Sequence, residues 1–340
     1  MFSIIGFLLL AIMTLILFAL AFVENIAANG FSWLFFLQVI LLIGLIYEMN
    51  QVRNSEISFN GKKPVESFLK ITDLYSFIVV FAGTLSTFFL GTLLGLGLGA
   101  VVASGLVGVF ATLIIPKYDV PAICGSYAGM ASCSFFISYD QIVIAGIIAG
   151  LVFVICKNVF NGFGGKLGTI ALLGCIFGSF FTASGYLPMG PIPGWATARY
   201  LLFYSVLAAV VTYILNVRLK HSPVISSGSI GILSGLIMPV IYPEIGGMIA
   251  IMMYCSSFAG MSSQKRIPNE IYIAIAGAIC AFIYVYSFPY FGGTGGKLGT
   301  IAFASVIIVR GIIDIFDFVI VKKKFGLLAK EAYVLFFPKR

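Results

Sequence analysis

Apolar residues in this chain gather in long, nearly unbroken runs rather than in alternating or one-faced patterns. A run of about 20 apolar residues is enough to cross a bilayer as a helix. Twelve such runs stand out, at 1–23, 30–49, 74–94, 97–115, 120–139, 141–157, 169–188, 198–216, 224–241, 245–263, 271–289 and 301–321. They predict an all-α polytopic membrane protein with about 12 transmembrane helices. The first run lacks a basic leader and a small-residue cleavage site, so a retained helix is expected there rather than a signal peptide. Residues 74–115 predict a helical hairpin broken at Gly95, Gly97 and Gly99. Two runs differ from the rest: 120–139 and 245–263 are rich in Gly, Ala, Ser and Cys and short of large aliphatics. They predict re-entrant or broken helices as an alternative to full crossings, because irregular backbone at membrane depth is tolerated only where it is buried or lines a cavity.

The polar positions between the runs set the topology. With the N-terminus on one side, 17 of the 20 lysines and arginines fall on that same side, from Arg53 in the first loop to six in the tail. Arg199 and Lys297 fall opposite, and Arg310 lies within the last run. Loops rich in Lys and Arg stay cytoplasmic, so both termini are expected in the cytoplasm of a cell bounded by a plasma or inner membrane. Segment 50–73 mixes both signs and reads as a cytoplasmic linker. Tail 322–340 alternates basic and apolar groups and is expected on the anionic inner surface. GYLPMGPIPGWATARY (185–200) reads as an extracytoplasmic connector, with Trp195 and Tyr200 at the interface.

One pattern recurs. The octapeptide GGKLGTIA stands at 164–171 and again at 295–302, 131 residues later. Aligned without a gap, 121–174 and 252–305 share 22 of 54 positions, including a lysine and six glycines. A second cluster, C-x-S-[YF]-A-G-M-x-S, begins at Cys124 and at Cys255. Shared apolarity alone would not keep these spacings, so the chain contains an internal duplication. Five predicted spans separate Lys166 from Lys297, and an odd number reverses orientation. The expected plan is two accessory N-terminal helices (1–49), the linker (50–73), a first five-helix repeat (74–188), a second, inverted one (198–321) and the basic tail (322–340). Inverted repeats recur among transporters, with the substrate near the midplane between them.

Candidate chemistry lies in the repeated motifs. In Gly164, Gly165, Lys166 and Thr169, and in Gly295, Gly296, Lys297 and Thr300, bare backbone N–H groups precede a helix start beside an ammonium. That combination suits an anion; the alternative is a tight turn whose lysine snorkels to the headgroups. The order of residues does not match G-x-x-x-x-G-K-[ST], so the motif is not a nucleotide loop. Ser126 and Gly129, with Ser257 and Gly260, offer hydroxyls and close approach, either to a solute or to a neighbouring helix. Arg310 and Asp314, four apart inside a span, form a candidate charge pair; the plainer alternative is a structural ion pair near the cytoplasmic edge. The first copy has no charged counterpart to it. Asp140 and Glu244, at predicted span ends, are candidate ligands for a coupling ion.

Composition narrows the function. The chain is 61% hydrophobic and 9% charged, and its +8 net charge follows topology rather than marking a nucleic-acid partner. The cysteines (124, 133, 156, 175, 255, 280) form no C-x-x-C pair and are expected buried and unbridged. His221 alone, in a basic loop, argues against a histidine-ligated metal, a haem or a catalytic triad. No cofactor, metal or catalytic set is expected. The expected function is a transporter or channel for a small anionic or polar solute, with the bilayer and that solute or an ion as partners. The extra N-terminal helices suit a homo-oligomer contact. The alternative is a non-enzymatic membrane subunit of a larger complex.

Overall fold

The computed structural model describes the backbone of residues 2–30, 34–59, 70–92, 99–132, 135–136, 138–182 and 190–336, and the side chains of these apart from 53–59, 92, 181–182 and 318–336. Among the described residues the fold is all-helical. It comprises α1 (Phe2–Asn29), α2 (Leu34–Phe59), α3 (Ile71–Thr92), α4 (Ala100–Ile114), α5 (Asp119–Gly129), α6 (Tyr139–Cys156), α7 (Lys166–Thr182), α8 (Trp195–Tyr213), α9 (Pro223–Ile241), α10 (Gly246–Gly260), α11 (Glu270–Tyr286) and α12 (Lys297–Phe336). Each contains or overlaps one of the apolar runs. Seven, namely α1, α2, α3, α6, α8, α9 and α12, carry stretches long and apolar enough to cross a membrane. This is the make-up of a helical membrane protein.

The two glycine- and serine-rich runs form short helices, as does the run of α4. With 11 residues, α5 rises about 17 Å at 1.5 Å per residue; the hydrocarbon core is about 30 Å thick. The 15 residues of α10 rise about 22 Å. Both end at the same motif position, Gly129 and Gly260, with Met130 and Met261 as C-caps. Irregular backbone then leads to helix starts fixed by capping side chains: Ser138 N–H donates to Gln141 Oε1 before α6, and Asn269 Oδ1 accepts from Ile271 and Tyr272 N–H before α11. At the far end of α8 a π-helical turn, Ile214–Arg218, carries Asn216, whose amide donates to the carbonyls of Gly260 and Ser262 and so closes the end of α10.

Several boundaries depart from the hydropathy pattern, because apolar runs mark where the bilayer lies and not where hydrogen bonding stops. Helix α2 continues through Phe59 into the polar linker, whose residues 60–69 lie outside the described ones. Helix α12 continues to Phe336, so most of the basic tail extends the last span without a break. Trp195 and Tyr200, expected in a connector, lie in the first turns of α8. Residues 183–189 of that connector, Gly95 and Gly97 of the α3–α4 turn and Cys133 lie outside the described residues, while Gly99 is the N-cap of α4. Helices α7 and α12 begin at the motif lysines, three residues before Thr169 and Thr300, because Gly165 and Gly296 end the preceding turns at φ +83° and +85°.

The helices pack in a repeated order: α3 lies on α5 and α6, α8 lies on α10 and α11, and α4 crosses α9 as α7 crosses α12. Glycine permits the closest crossings. A Cβ on Gly168 would stand 2.4 Å from Gly299 Cα, and one on Gly299 would stand 2.4 Å from Gly168 Cα. Gly105 and Gly228 meet in the same way between α4 and α9. The N-terminal helices use the same device: α1 sets Gly6 on the Ile155 carbonyl, and α2 crosses α12 where Gly44 faces Gly311. Gly168→Val or Gly299→Val is expected to cost about 3 kcal/mol or more, since backbone on both sides prevents relaxation. The check is the thermal midpoint and gel-filtration profile in detergent. Gly190→Ala, with nothing within 4 Å of the added carbon, is the control expected to behave as the parent.

Candidate functional site

The two GGKLG turns come together at the α7–α12 crossing. Gly165 lies against the Gly299 carbonyl and Phe303 N, and Gly296 lies against the Gly168 carbonyl and Leu172 N. Each contact becomes the other when 131 is added to one partner's number and subtracted from the other's. The same reciprocity runs through the neighbouring segments. Ser132 N–H donates to the Gly293 carbonyl and Ser263 N–H to the Gly162 carbonyl, both at 2.9 Å. Gly164 abuts the Phe258 and Ala259 carbonyls at the end of α10, and Gly295 abuts those of Tyr127 and Ala128 at the end of α5. The backbone repeats too, with Phe160 and Phe291 at φ 51° and 53° and Gly162 and Gly293 at 81° and 77°. Tyr127 and Phe258, equivalent in the alignment, pack with ring centroids 4.4 Å apart and planes inclined at 42°.

The C-x-S cluster is woven into this centre. Ser126 Oγ shares a 2.8 Å hydrogen bond with Ser104, which is also bonded to Tyr254 OH at 2.9 Å. Ser257 Oγ shares a 2.8 Å bond with Ser227. Both motif serines are fully buried and hold α5 to α4 and α10 to α9. Gly129 and Gly260 bring α5 onto Thr84 and Thr87 of α3, and α10 onto Ala209 and Thr212 of α8. Cys124 and Cys255 donate their thiols to the Leu167 and Leu298 carbonyls, within the GGKLG turns. Of the motif threonines, Thr300 Oγ1 donates weakly to Gly296 O at 3.4 Å, whereas the buried Thr169 Oγ1 has no hydrogen-bond partner among the described residues.

Both lysines are buried, at 8% exposure, rather than extended to a surface. Their partners differ. Lys297 Nζ donates to the carbonyls of Ser287, Phe288 and Tyr290 at 2.8, 3.2 and 2.7 Å. These carbonyls follow the last residue of α11, so the ammonium holds the turn that leads from α11 toward α12. Lys166 Nζ donates to Asn161 Oδ1 at 3.3 Å; the second copy has Gly292 where Asn161 stands. Each lysine lines its own cavity. The one at Lys297 is about 380 Å³ and the one at Lys166 about 190 Å³. They are lined by equivalent residues, including Ile251 and Val120, Met130 and Met261, and Leu298 and Leu167, and Tyr127 contributes to both.

Charges missed by the sequence reading stand close by. Arg266 donates from Nη1 to Glu48 Oε1 at 2.7 Å and from Nε to the Asn161 carbonyl at 3.0 Å, and its guanidinium covers the Phe163 ring at 4.5 Å. Arg310 donates to Asp314, as their i,i+4 spacing predicts, and to the Arg266 carbonyl. Glu48, only 3% exposed, thus ties α2 to the Lys166 cavity through Arg266 and Asn161. On α1, Glu24 accepts from Tyr290 OH at 2.9 Å, next to a carbonyl that holds Lys297. Neither acid was legible as a partner, because no spacing along the chain relates Glu48 to Arg266 or Glu24 to Tyr290. Asp140 and Glu244 are exposed and line neither lysine cavity. No group of three or more His, Cys, Asp or Glu able to hold a metal occurs among the described residues.

No protein-family model, curated protein or solved structure matches this chain. Glu48→Ala is expected to destabilise the fold by between about 1 and 3 kcal/mol, more than an exposed pair and less than a fully buried one, since Arg266 keeps some solvent contact. Glu48→Gln, which keeps an acceptor, is expected to lose less. Thermal midpoints of the purified variants check both, and an unchanged midpoint for Glu48→Ala would show that the pair contributes nothing.

Proposed function

We propose that this chain is a membrane transporter for a small anionic or polar solute, built from two inverted halves, α3–α7 and α8–α12, with α1 and α2 as accessory helices. The observation that carries the reading is the pair of equivalent lysine-lined cavities that share Tyr127. Reciprocal contacts at a fixed sequence offset are what a two-fold axis between halves produces. The strong bias of Lys and Arg to one side supports an axis lying in the membrane plane, with both termini cytoplasmic. Under that arrangement the two cavities open to opposite faces. The crossing of α7 and α12, with the Tyr127–Phe258 ring contact, forms the barrier between them. The larger cavity is then the more open mouth. On the smaller side Arg266 binds both Glu48 and the carbonyl of Asn161, a residue of that cavity's wall. A solute crosses when this inequality is exchanged between the halves.

The test uses the equivalent cavity positions Val120 and Ile251. In right-side-out and inside-out vesicles, Val120→Cys and Ile251→Cys are expected to react with a membrane-impermeant maleimide from opposite faces. In the double variant, prior modification at 251 is expected to slow labelling at 120 by about tenfold or more, because a blocked mouth cannot close. Labelling of both positions from one face would refute the inverted arrangement. Independent labelling rates would refute exchange between the two states.

A further inference from the structure

Resting on the transport reading, we propose that the solute is a singly charged organic acid with an apolar body, about the size of one aromatic ring or a short branched chain. The larger cavity dictates this class. Its wall is mostly aromatic and aliphatic, with Val102, Tyr127, Phe258, Tyr284, Phe288 and Phe291 prominent, and among the described residues Lys297 is the one charged residue lining it. Three carbonyls fix that ammonium in place, but carbonyl dipoles do not cancel its charge. Beside it, helix α12 begins, and the first N–H groups of a helix have no acceptor within their own helix. The charged end of the cavity therefore offers an ammonium and a few backbone donors, and the rest of the wall is apolar apart from Tyr127, Tyr284, Thr294 and glycine backbone.

A compact inorganic anion such as phosphate would give up its hydration to an apolar wall and find too few donors in return. A neutral apolar solute would fill the wall and leave Lys297 uncompensated in a confined space. A dianion would exceed the single lysine by one charge. A monocarboxylate with an apolar body satisfies both ends, and 380 Å³ lies at the small end of the range for ligand pockets. The Lys166 cavity repeats the arrangement of a lone lysine among apolar groups, with Phe160, Phe163 and Met261 in its wall. The same carboxylate end can thus be handed from one lysine to the other.

Binding of radiolabelled phenylacetate to the full-length protein in nanodiscs tests the class. Phenylacetate is expected to bind at least tenfold more tightly than acetate, which lacks the body, and than phenylacetamide, which lacks the charge. Inorganic phosphate is expected not to compete. Ile251→Trp, which adds bulk to the cavity wall, is expected to abolish binding while keeping the parent's gel-filtration profile. Lys297→Gln is expected to bring phenylacetate and phenylacetamide to within about twofold of each other; if that variant does not fold, the Ile251→Trp result and the ligand series decide alone. Equal binding of acid and amide by the parent, competition by phosphate, or binding unaffected by Ile251→Trp would overturn the proposal. If labelling at 120 and 251 still alternates while no organic acid binds, the solute class is wrong and the transport reading stands.

Discussion

Gly168 and Gly299 touch backbone to backbone, and the rest of the centre is arranged around that contact. No side chain fits between α7 and α12 at this point. Because both partners lack one, the helices approach closely enough for Gly165 and Gly296 to reach the opposite helix and for Gly164 and Gly295 to reach the ends of α10 and α5. Four helix ends therefore meet in one place. Helix ends carry unmatched N–H and C=O groups, and the buried serines, thiols, Asn216 and Lys297 are what this centre uses to match many of them. The glycines and the hydroxyls of the repeat are thus two halves of one solution: close approach creates buried polar backbone, and small polar side chains satisfy it.

The lysines are identical in sequence context and unequal in use. Lys297 holds the carbonyls of the turn after α11, whereas Lys166 turns to Asn161, a side chain that the second copy replaces with Gly292. The surrounding charges follow the same inequality. Helix α2 brings Glu48 to Arg266 on the Lys166 side, and α1 brings Glu24 to Tyr290 on the Lys297 side. The helices outside the repeat supply acidic groups that the repeat lacks at these points. In the proposed transporter this is a physical source of bias between two otherwise equivalent states: an ion pair and a cation–ring contact hold one mouth, and a tyrosine–carboxylate hydrogen bond stands at the other.

Much of this architecture was legible before any coordinates. Apolar runs located the helices because the bilayer imposes a minimum apolar length, and the offset of 131 paired the residues that meet at the centre. The weak runs at 120–139 and 245–263 correspond to α5 and α10, of 11 and 15 residues, which end at the same motif glycine. The partners of Arg310 followed in part, because spacing of four on one helix brings Asp314 alongside it whatever the fold. Helix ends were less legible, as α2 and α12 show by continuing past their apolar segments: hydropathy records the solvent around a helix and not its hydrogen bonding.

Sequence by itself therefore determined the class of structure, the recurring motifs and their fixed offset of 131 residues, because these rest on local composition and on spacing along one chain. Tertiary structure decided what the equivalent residues do. Whether a motif lysine reaches headgroups, a helix end or a neighbouring amide depends on which carbonyls the fold leaves unmatched within reach of its ammonium. Glu48 and Arg266 lie 218 residues apart, and no periodicity relates them. They meet only because α2 crosses α12 at a glycine pair and delivers a carboxylate to the loop after α10.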